Sequence, residues 1–235
     1  MIFNPAAGAA GGGLPEFEYT GQYQLIDEGR QNGVRNWRIR FLTSGVITFA
    51  RLRTAIDVFL VGGGGARGNA SGFAPASGSG GGGYTQTEPG LVAEIGQAYE
   101  IVIGAGGTTP ASSDSTTRGG STTAFGCTAE GGYSGYRHSG GDGGSGGADA
   151  QGTTRATDGA DGEDSSSSAG TAGKGQGTTT REFGETDGTL YATGGAQGSG
   201  NGDANTGDGA GGITSDDNGV ARTGGSGIVV IRNAR

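Results

Sequence analysis

Six residues, Tyr133-Ser-Gly-Tyr136-Arg137-His138, gather two aromatics, a cation and the chain's one imidazole inside a glycine-rich run. On loops these are side chains of recognition, each a planar body with a polar end. Tyr133, Tyr136, Arg137 and His138 are therefore candidate contact residues. A plainer reading has Tyr133 and Tyr136 filling gaps between glycine segments. Polar runs at Ser115-Thr-Thr117, Ser165–Ser168 and Thr178–Thr180 read as loop tips beside them.

Catalytic and ligating sets are hard to assemble from the rest. One His and one Cys exclude a His/Cys zinc or iron–sulfur set and any disulfide framework. No Ser sits in a nucleophile elbow. Asp216/Asp217 could serve glycoside hydrolysis in principle, but such a cleft wants aromatic walls, and the chain has one Trp. Gly104-Ala-Gly106-Gly107 follows an apolar run, yet no phosphate-loop Lys-Ser/Thr follows it, and the Gly-x-Gly-x-x-Gly matches come from composition. Asp158-Gly-Ala-Asp161-Gly-Glu-Asp164 lacks the alternating ligands of a calcium loop and reads as a solvated acidic loop. Gly143-Gly-Ser-Gly146-Gly-Ala-Asp149 misses the calcium β-roll pattern by one residue. Cys127 reads as a small buried hydrophobe. The expectation is no enzyme, no cofactor and no metal.

The 235 residues include 58 Gly, and the formal net charge is −8 with a pI near 4.6. An acidic chain without a basic run is a poor nucleic-acid binder. No run of 18 apolar residues exists to insert in a membrane, and Met1-Ile-Phe-Asn-Pro lacks the basic start of a secretory signal. Ile, Leu, Val and Phe number 35, about 15 % of the chain, below the ~20 % with which ordinary cores are built.

The chain divides sharply at Val61. Residues 1–61 hold 8 Gly and six Arg against five acids; residues 62–235 hold 50 Gly and nine bases against 18 acids. The front part reads as β. Phe17, Tyr19, Tyr23 and Leu25 share a parity, and Asn32-Gly33 is a two-residue hairpin turn. Trp37, Ile39 and Phe41 alternate with Arg38, Arg40 and Leu42, a half-buried strand with a basic outer face. Val46–Phe49 follows Ser44-Gly45. Ile56–Val61 is apolar on both faces and reads as central, as does Ile228–Ile231. Leu91–Ile95 and Tyr99–Ile103 are further strands; Tyr84–Thr87, Thr122–Phe125 and Thr189–Thr193 are weaker ones. No window has helical periodicity, and Gly costs ~1 kcal/mol per helical position.

Between Gly104 and Thr189 there is no Ile, Leu, Val or Met, so hydrophobic packing cannot order that stretch. The glycine spacing offers another way. Gly140-Gly-Asp-Gly-Gly-Ser-Gly-Gly-Ala148 has a period of three, and so do Gly62, Gly65 and Gly68, and Gly170 and Gly173. Three residues per turn is the polyproline II-type helix. With glycine edges inward, such helices can exchange N–H···O=C bonds with their neighbours. In the 140–148 run, Gly143 would face a neighbour, and Asp142 and Ser145 would face solvent.

Several segments resemble a known family in their order. Phe41–Phe49, Ile56–Gly65, Gly80–Tyr84, Gly96–Gly107, Gly119–Gly126 and Gly224–Arg232 are similar to the glycine-rich domain of tailed-phage tail proteins. The resemblance covers about residues 41–126 and 224–232. It departs at Ala50-Arg-Leu-Arg53, where the family has a Pro. It implies a virion setting, and stacked polyglycine helices that present loops to a host.

The expected fold is all-β: a small β-sandwich closed by the C-terminal strand, with inserted polyglycine II-type helices and loops. Residues 1–40 are expected to dock or oligomerise through the Arg35, Arg38 and Arg40 face, with Ala6–Gly13 ordered only by a neighbour. Residues 41–126 and 224–235 form the sandwich, and 127–223 the inserted loops. The expected role is a phage tail-fibre or tail-tip adhesin. Its partners are other tail proteins, copies of itself and a host-surface receptor, and its place is the virion, outside the cell when functioning. Two rivals are a purely structural head-fibre, decoration or baseplate protein and a polyglycine cell-surface or ice-binding protein.

Overall fold

The computed structural model describes residues 13–69, 76–150, 180–213 and 220–235. Ala6–Gly12, Asp158–Asp164, Ser165–Ser168, Gly170, Gly173, Thr178, Thr179 and Asp216/Asp217 lie outside them. Ten strands form two antiparallel five-stranded sheets, and among the described residues the only helical element is one 3-10 turn at Glu182–Gly184.

The first sheet runs β1 (Glu16–Tyr19), β4 (Gly45–Arg51), β7 (Ala98–Val102), β8 (Thr122–Ala124), β9 (Cys127–Ala129). The second runs β2 (Tyr23–Gln31), β3 (Val34–Phe41), β10 (Ile228–Asn233), β5 (Ile56–Val61), β6 (Thr85–Leu91). β10 lies between β3 and β5, so the last strand closes the sandwich from the centre of its sheet. The parity that Phe17, Tyr19, Tyr23 and Leu25 share is split between two strands in opposite sheets.

Alternation sets the core. Trp37, Ile39 and Phe41 from β3 meet Ile47, Phe49 and Ile101 from the facing sheet, with Val58, Leu60, Val229 and Ile231 between. Every residue of β5 and β10 is buried. Their outer faces are covered too: Phe59, Val61, Ile228 and Val230 pack under Phe183, Tyr191 and Ala192. The Asn32-Gly33 turn has positive φ at both residues, 52° and 82°, as a type I′ turn requires.

Two expected strands differ. Leu91 ends β6, and Val92–Gln97 form a turn with Gly96 at φ 79°. Thr189–Thr193 contributes only an isolated bridge, Arg181 to Leu190.

At one end of the sandwich the strands run straight on into glycine. β5, β7 and β9 leave as 62–69, 103–109 and 130–136, while 76–84, 117–121 and 222–227 enter β6, β8 and β10. These arms bond laterally in threes. Gly62, Gly65 and Gly68 donate to Tyr84, Gly81 and Gly78, whereas Gly64 and Arg67 donate to Gly225 and Arg222. Ser77, Gly80 and Gly83 in turn donate to Ile213, Ala210 and Gly207. Every third residue reaching one neighbour is the signature of a three-residue helix. A Cβ on Gly65 would overlap the carbonyl of Tyr133, and one on Gly80 that of Gly65. The backbone lattice thus takes the place of a hydrophobic core.

The 140–148 run is ordered but is not one helix. Gly141 and Gly144 donate to Ser79 and Gly82 in parallel sense, and then Gly82 and Ser79 donate to Ser145 and Ala148 in antiparallel sense. The run therefore folds back on itself near Gly144. This reversal buries Ser145, while Asp142 stays exposed.

Candidate recognition flank

Glu130, Tyr133 and Tyr136 are exposed, and Gly131, Gly132, Ser134 and Gly135 between them are buried. That is the three-residue period made visible: the small residues face the lattice and each third side chain faces out. The lattice pins this arm on three sides. Gly132 donates to Gly63, Gly135 to Ala66 and Tyr133 to Asp142, while the buried Ser134 Oγ accepts from the Thr117 N–H. The arm ends in a tight turn. Tyr136 and Ser139 exchange N–H···O=C bonds of 3.0 and 2.8 Å around Arg137 and His138. Arg137 sits at φ 50°, a left-handed conformation that a side chain with Cβ disfavours.

Two guanidinium groups lie on the exposed rings. Arg118 stands 4.7 Å from the Tyr133 ring and 5.7 Å from that of Tyr84. Its Nε donates to the Gly131 carbonyl at 2.7 Å, and its Nη1 pairs with Glu130 at 3.2 Å. Ser121 also donates to Glu130 Oε2. Arg137 lies 5.5 Å from the Tyr136 ring and is held by Asp114 through Nε at 2.9 Å and through Nη2. The hydrogen bond from Arg137 to Asp114, then the carboxylate's charge, pushes the guanidinium pKa up, so it stays charged throughout the accessible pH range. Each such stack contributes about 0.5–1 kcal/mol at an exposed site.

The flank continues to the foot of the arm. Tyr84, Thr85, Gln86, Arg118, Thr128, Ala129 and Glu130 line an open cleft of about 330 Å³. It lies where the edge strands of the two sheets meet. There Gln86 Oε1 accepts the Thr128 N–H at 3.1 Å, which occupies an edge donor that would otherwise invite strand pairing.

The structure thus places Tyr133, Tyr136 and Arg137 on one continuous flank. His138 shares the turn but is half-buried, and its Nδ1 is enclosed without a hydrogen-bond partner. Sequence reasoning missed Tyr84, Arg118, Glu130 and Asp114. Glu130-Gly-Gly-Tyr133-Ser-Gly-Tyr136 carried the signal, since small residues fill both places between its every-third large ones.

The basic face expected on β3 is not free. Arg38 and Arg40 pair with Glu182, Arg38 also with Glu28, and Arg35 with Asp27. Residues 180–192, remote in sequence, return to cover Arg38 and Arg40, while Arg35 stays partly exposed. Burial and then Glu88 push the Cys127 thiol up, so it is a poor nucleophile. Among the described residues no cluster of three His, Cys, Asp or Glu could hold a metal ion, and no helix is long and apolar enough to cross a membrane.

Comparison with curated proteins gave no match. The glycine-rich domain family matches residues 42–234, from the end of β3 to the residue before the last. The strand-to-glycine arms and their lattice lie within that span, and the chain belongs to the glycine-rich domain family.

Proposed function

We propose that the protein is a structural component of a phage tail fibre or tail tip and that its glycine arms present an adhesive flank to a host-surface receptor. One observation carries the reading: the molecule is bipolar. All six arms leave one end of the sandwich, and the Tyr–Arg flank climbs to a strained turn far from it. The opposite end holds the Gln31–Val34 turn, the 92–97 turn and Ala234. There Val92 and Ile95 stand 77 % and 59 % exposed, and that end would face the rest of the virion. A hydrogen-bonded backbone scaffold is stiff and protein-economical, which suits a lever that must hold contact residues away from its mount. The contacts are Tyr133, Tyr136 and Arg137, with His138 shaping the turn.

The test is adsorption. Antibody against the chain should label the tail of a phage that encodes it, and excess purified chain should block that phage's attachment. Tyr136→Ala with Arg137→Ala should lose the block while keeping the fold. Tail labelling with no competition at any concentration would leave a structural protein without a receptor role.

A further inference from the structure

We infer that the flank from Tyr84 to Arg137 is a carbohydrate-binding surface, taking a linear cell-surface polysaccharide along the glycine arm. This rests on the adhesin reading and names the ligand class for it.

Spacing comes first. In a three-residue helix every third side chain recurs after ~9 Å, so Glu130, Tyr133 and Tyr136 form a straight row pitched for an extended, repeating ligand. Chemistry comes second. The row offers ring faces, guanidinium planes and carboxylates and has no aliphatic anchor. A sugar ring has an apolar C–H face that stacks on an aromatic and adjacent hydroxyls that pair with a carboxylate or guanidinium. Glu130 and Asp114 supply acceptors beside the Tyr133 and Tyr136 rings, and Arg118 and Arg137 supply paired donors. Shape comes third. A protein partner would also engage Tyr and Arg, but in a closely packed, fully desolvated pocket. The exposed aliphatics Val34, Val46, Val92, Ile95, Leu190 and Val220 all lie off this row, and the cleft at its foot is open. Last, the site is preformed. The arm's backbone is bonded to Gly63, Ala66 and Asp142, and Tyr has few rotamers to lose on binding.

The experiment uses the fluorescently labelled full chain on a panel of bacterial strains. Cells that it labels are treated with periodate, which cleaves vicinal diols of sugars, or with proteinase K. Periodate should abolish labelling, proteinase K should leave it, and polysaccharide purified from those cells should compete. Tyr133→Ala with Tyr136→Ala should weaken labelling at least tenfold while the chain still melts cooperatively, with Tm lower by only a few degrees from the two lost stacks, and Tyr136→Trp should restore most of what Tyr136→Ala loses. Labelling removed by proteinase K and spared by periodate would overturn the carbohydrate inference and leave the adhesin reading standing, with a protein receptor. Unchanged labelling by the double variant would overturn this flank as the site. Labelling of no strain would overturn both readings.

Discussion

The Glu182 carboxylate accepts a 2.8 Å hydrogen bond from Arg40 Nη2 across 142 residues of sequence, and its side chain has no exposure at all. Arg38 binds its other oxygen, and the Tyr191 hydroxyl donates to Oε2 at 3.0 Å. Burial, and then the neighbouring carboxylate, pushes the Tyr191 phenol far above its ordinary value, so it remains a donor. This cluster fastens residues 180–192 over the second sheet, with Phe183 and Tyr191 against Phe59.

Removing one partner of a buried pair strands the other. Glu182→Gln keeps the shape but leaves Arg40 without its carboxylate and Arg38 with Glu28 alone, at a cost of about 3 kcal/mol. Thermal melting should show a Tm lower by roughly 6–12 °C for a chain of this size. Tyr191→Phe removes one hydrogen bond and should cost about 1 kcal/mol. Equal, small shifts for both would mean that apolar contact alone holds the segment.

The glycine lattice predicts an unusual contrast among glycines of ordinary φ. A Cβ at Gly80 would overlap the Gly65 carbonyl, whereas one at Gly200 meets nothing within 4 Å. Gly80→Ala should therefore destabilise by about 1–3 kcal/mol, as overpacking does. Gly200→Ala should be neutral or stabilise by up to ~1 kcal/mol through the unfolded chain. In the folded-back run, Gly143→Val would drive a side chain into the Gly82 carbonyl, and Asp142→Ala, at an exposed side chain, should cost much less. Denaturant midpoints of the four variants decide it. Matching midpoints for Gly80→Ala and Gly200→Ala would mean that the arms do not pack as close helices.

Much of this was legible where the cause is local. Alternation placed Trp37, Ile39 and Phe41 in the core, and residues apolar on both faces marked β5 and β10 as central. Gly62, Gly65 and Gly68 showed the period that their hydrogen bonds obey. What failed was whatever depends on distant partners. The fold-back near Gly144 is set by two faces of the same 77–84 arm, so the regular Gly-Gly-x pattern looked like one straight helix. The cover over Arg38 and Arg40 comes from Glu182, at the end of a stretch with no Ile, Leu, Val or Met to announce packing. Arg118 reaches the Tyr133 ring only because its arm and the 130–136 arm are lattice neighbours, which nothing near it in sequence reports.

Asp208 gives the chain a pH dependence of predictable sign. Burial raises its carboxyl above the ordinary value, and the hydrogen bonds around it, including the 2.8 Å one from the Thr193 N–H, only partly offset this. An acid whose folded pKa exceeds its unfolded one binds protons on folding. Its stabilising contribution is fully present below about pH 4, the unfolded value, and is lost as pH rises through the folded pKa. Asp208→Asn can still accept from Thr193 and never ionises. Relative to the unsubstituted chain, its urea midpoint should be higher at pH 7, and that advantage should vanish near pH 4. An advantage of the same size at both pH values would assign the effect to packing rather than to charge.

Arg137 separates stability from recognition at a single position. Its φ of 50° is a conformation that glycine adopts without strain, and Arg137→Gly removes that strain. The ion pair lost with it joins side chains that are 54 % and 65 % exposed, and pairs so exposed contribute little to stability. The lost stack on Tyr136 offsets about 0.5–1 kcal/mol of the roughly 1–3 kcal/mol of strain relieved, so Arg137→Gly should raise Tm by a few degrees at most. The same change removes the guanidinium from above the Tyr136 ring and frees Asp114, so attachment to labelled cells should weaken roughly tenfold, the scale of a contact that carries binding. Arg137→Ala keeps the strained backbone and should lose attachment with no gain in Tm. Opposite movement of Tm and attachment in Arg137→Gly is the pattern of a residue kept for contact at the expense of the fold. A rise in Tm with attachment intact would make Arg137 a strained turn residue and nothing more, and Tyr136 would then be a gap filler at the end of its arm.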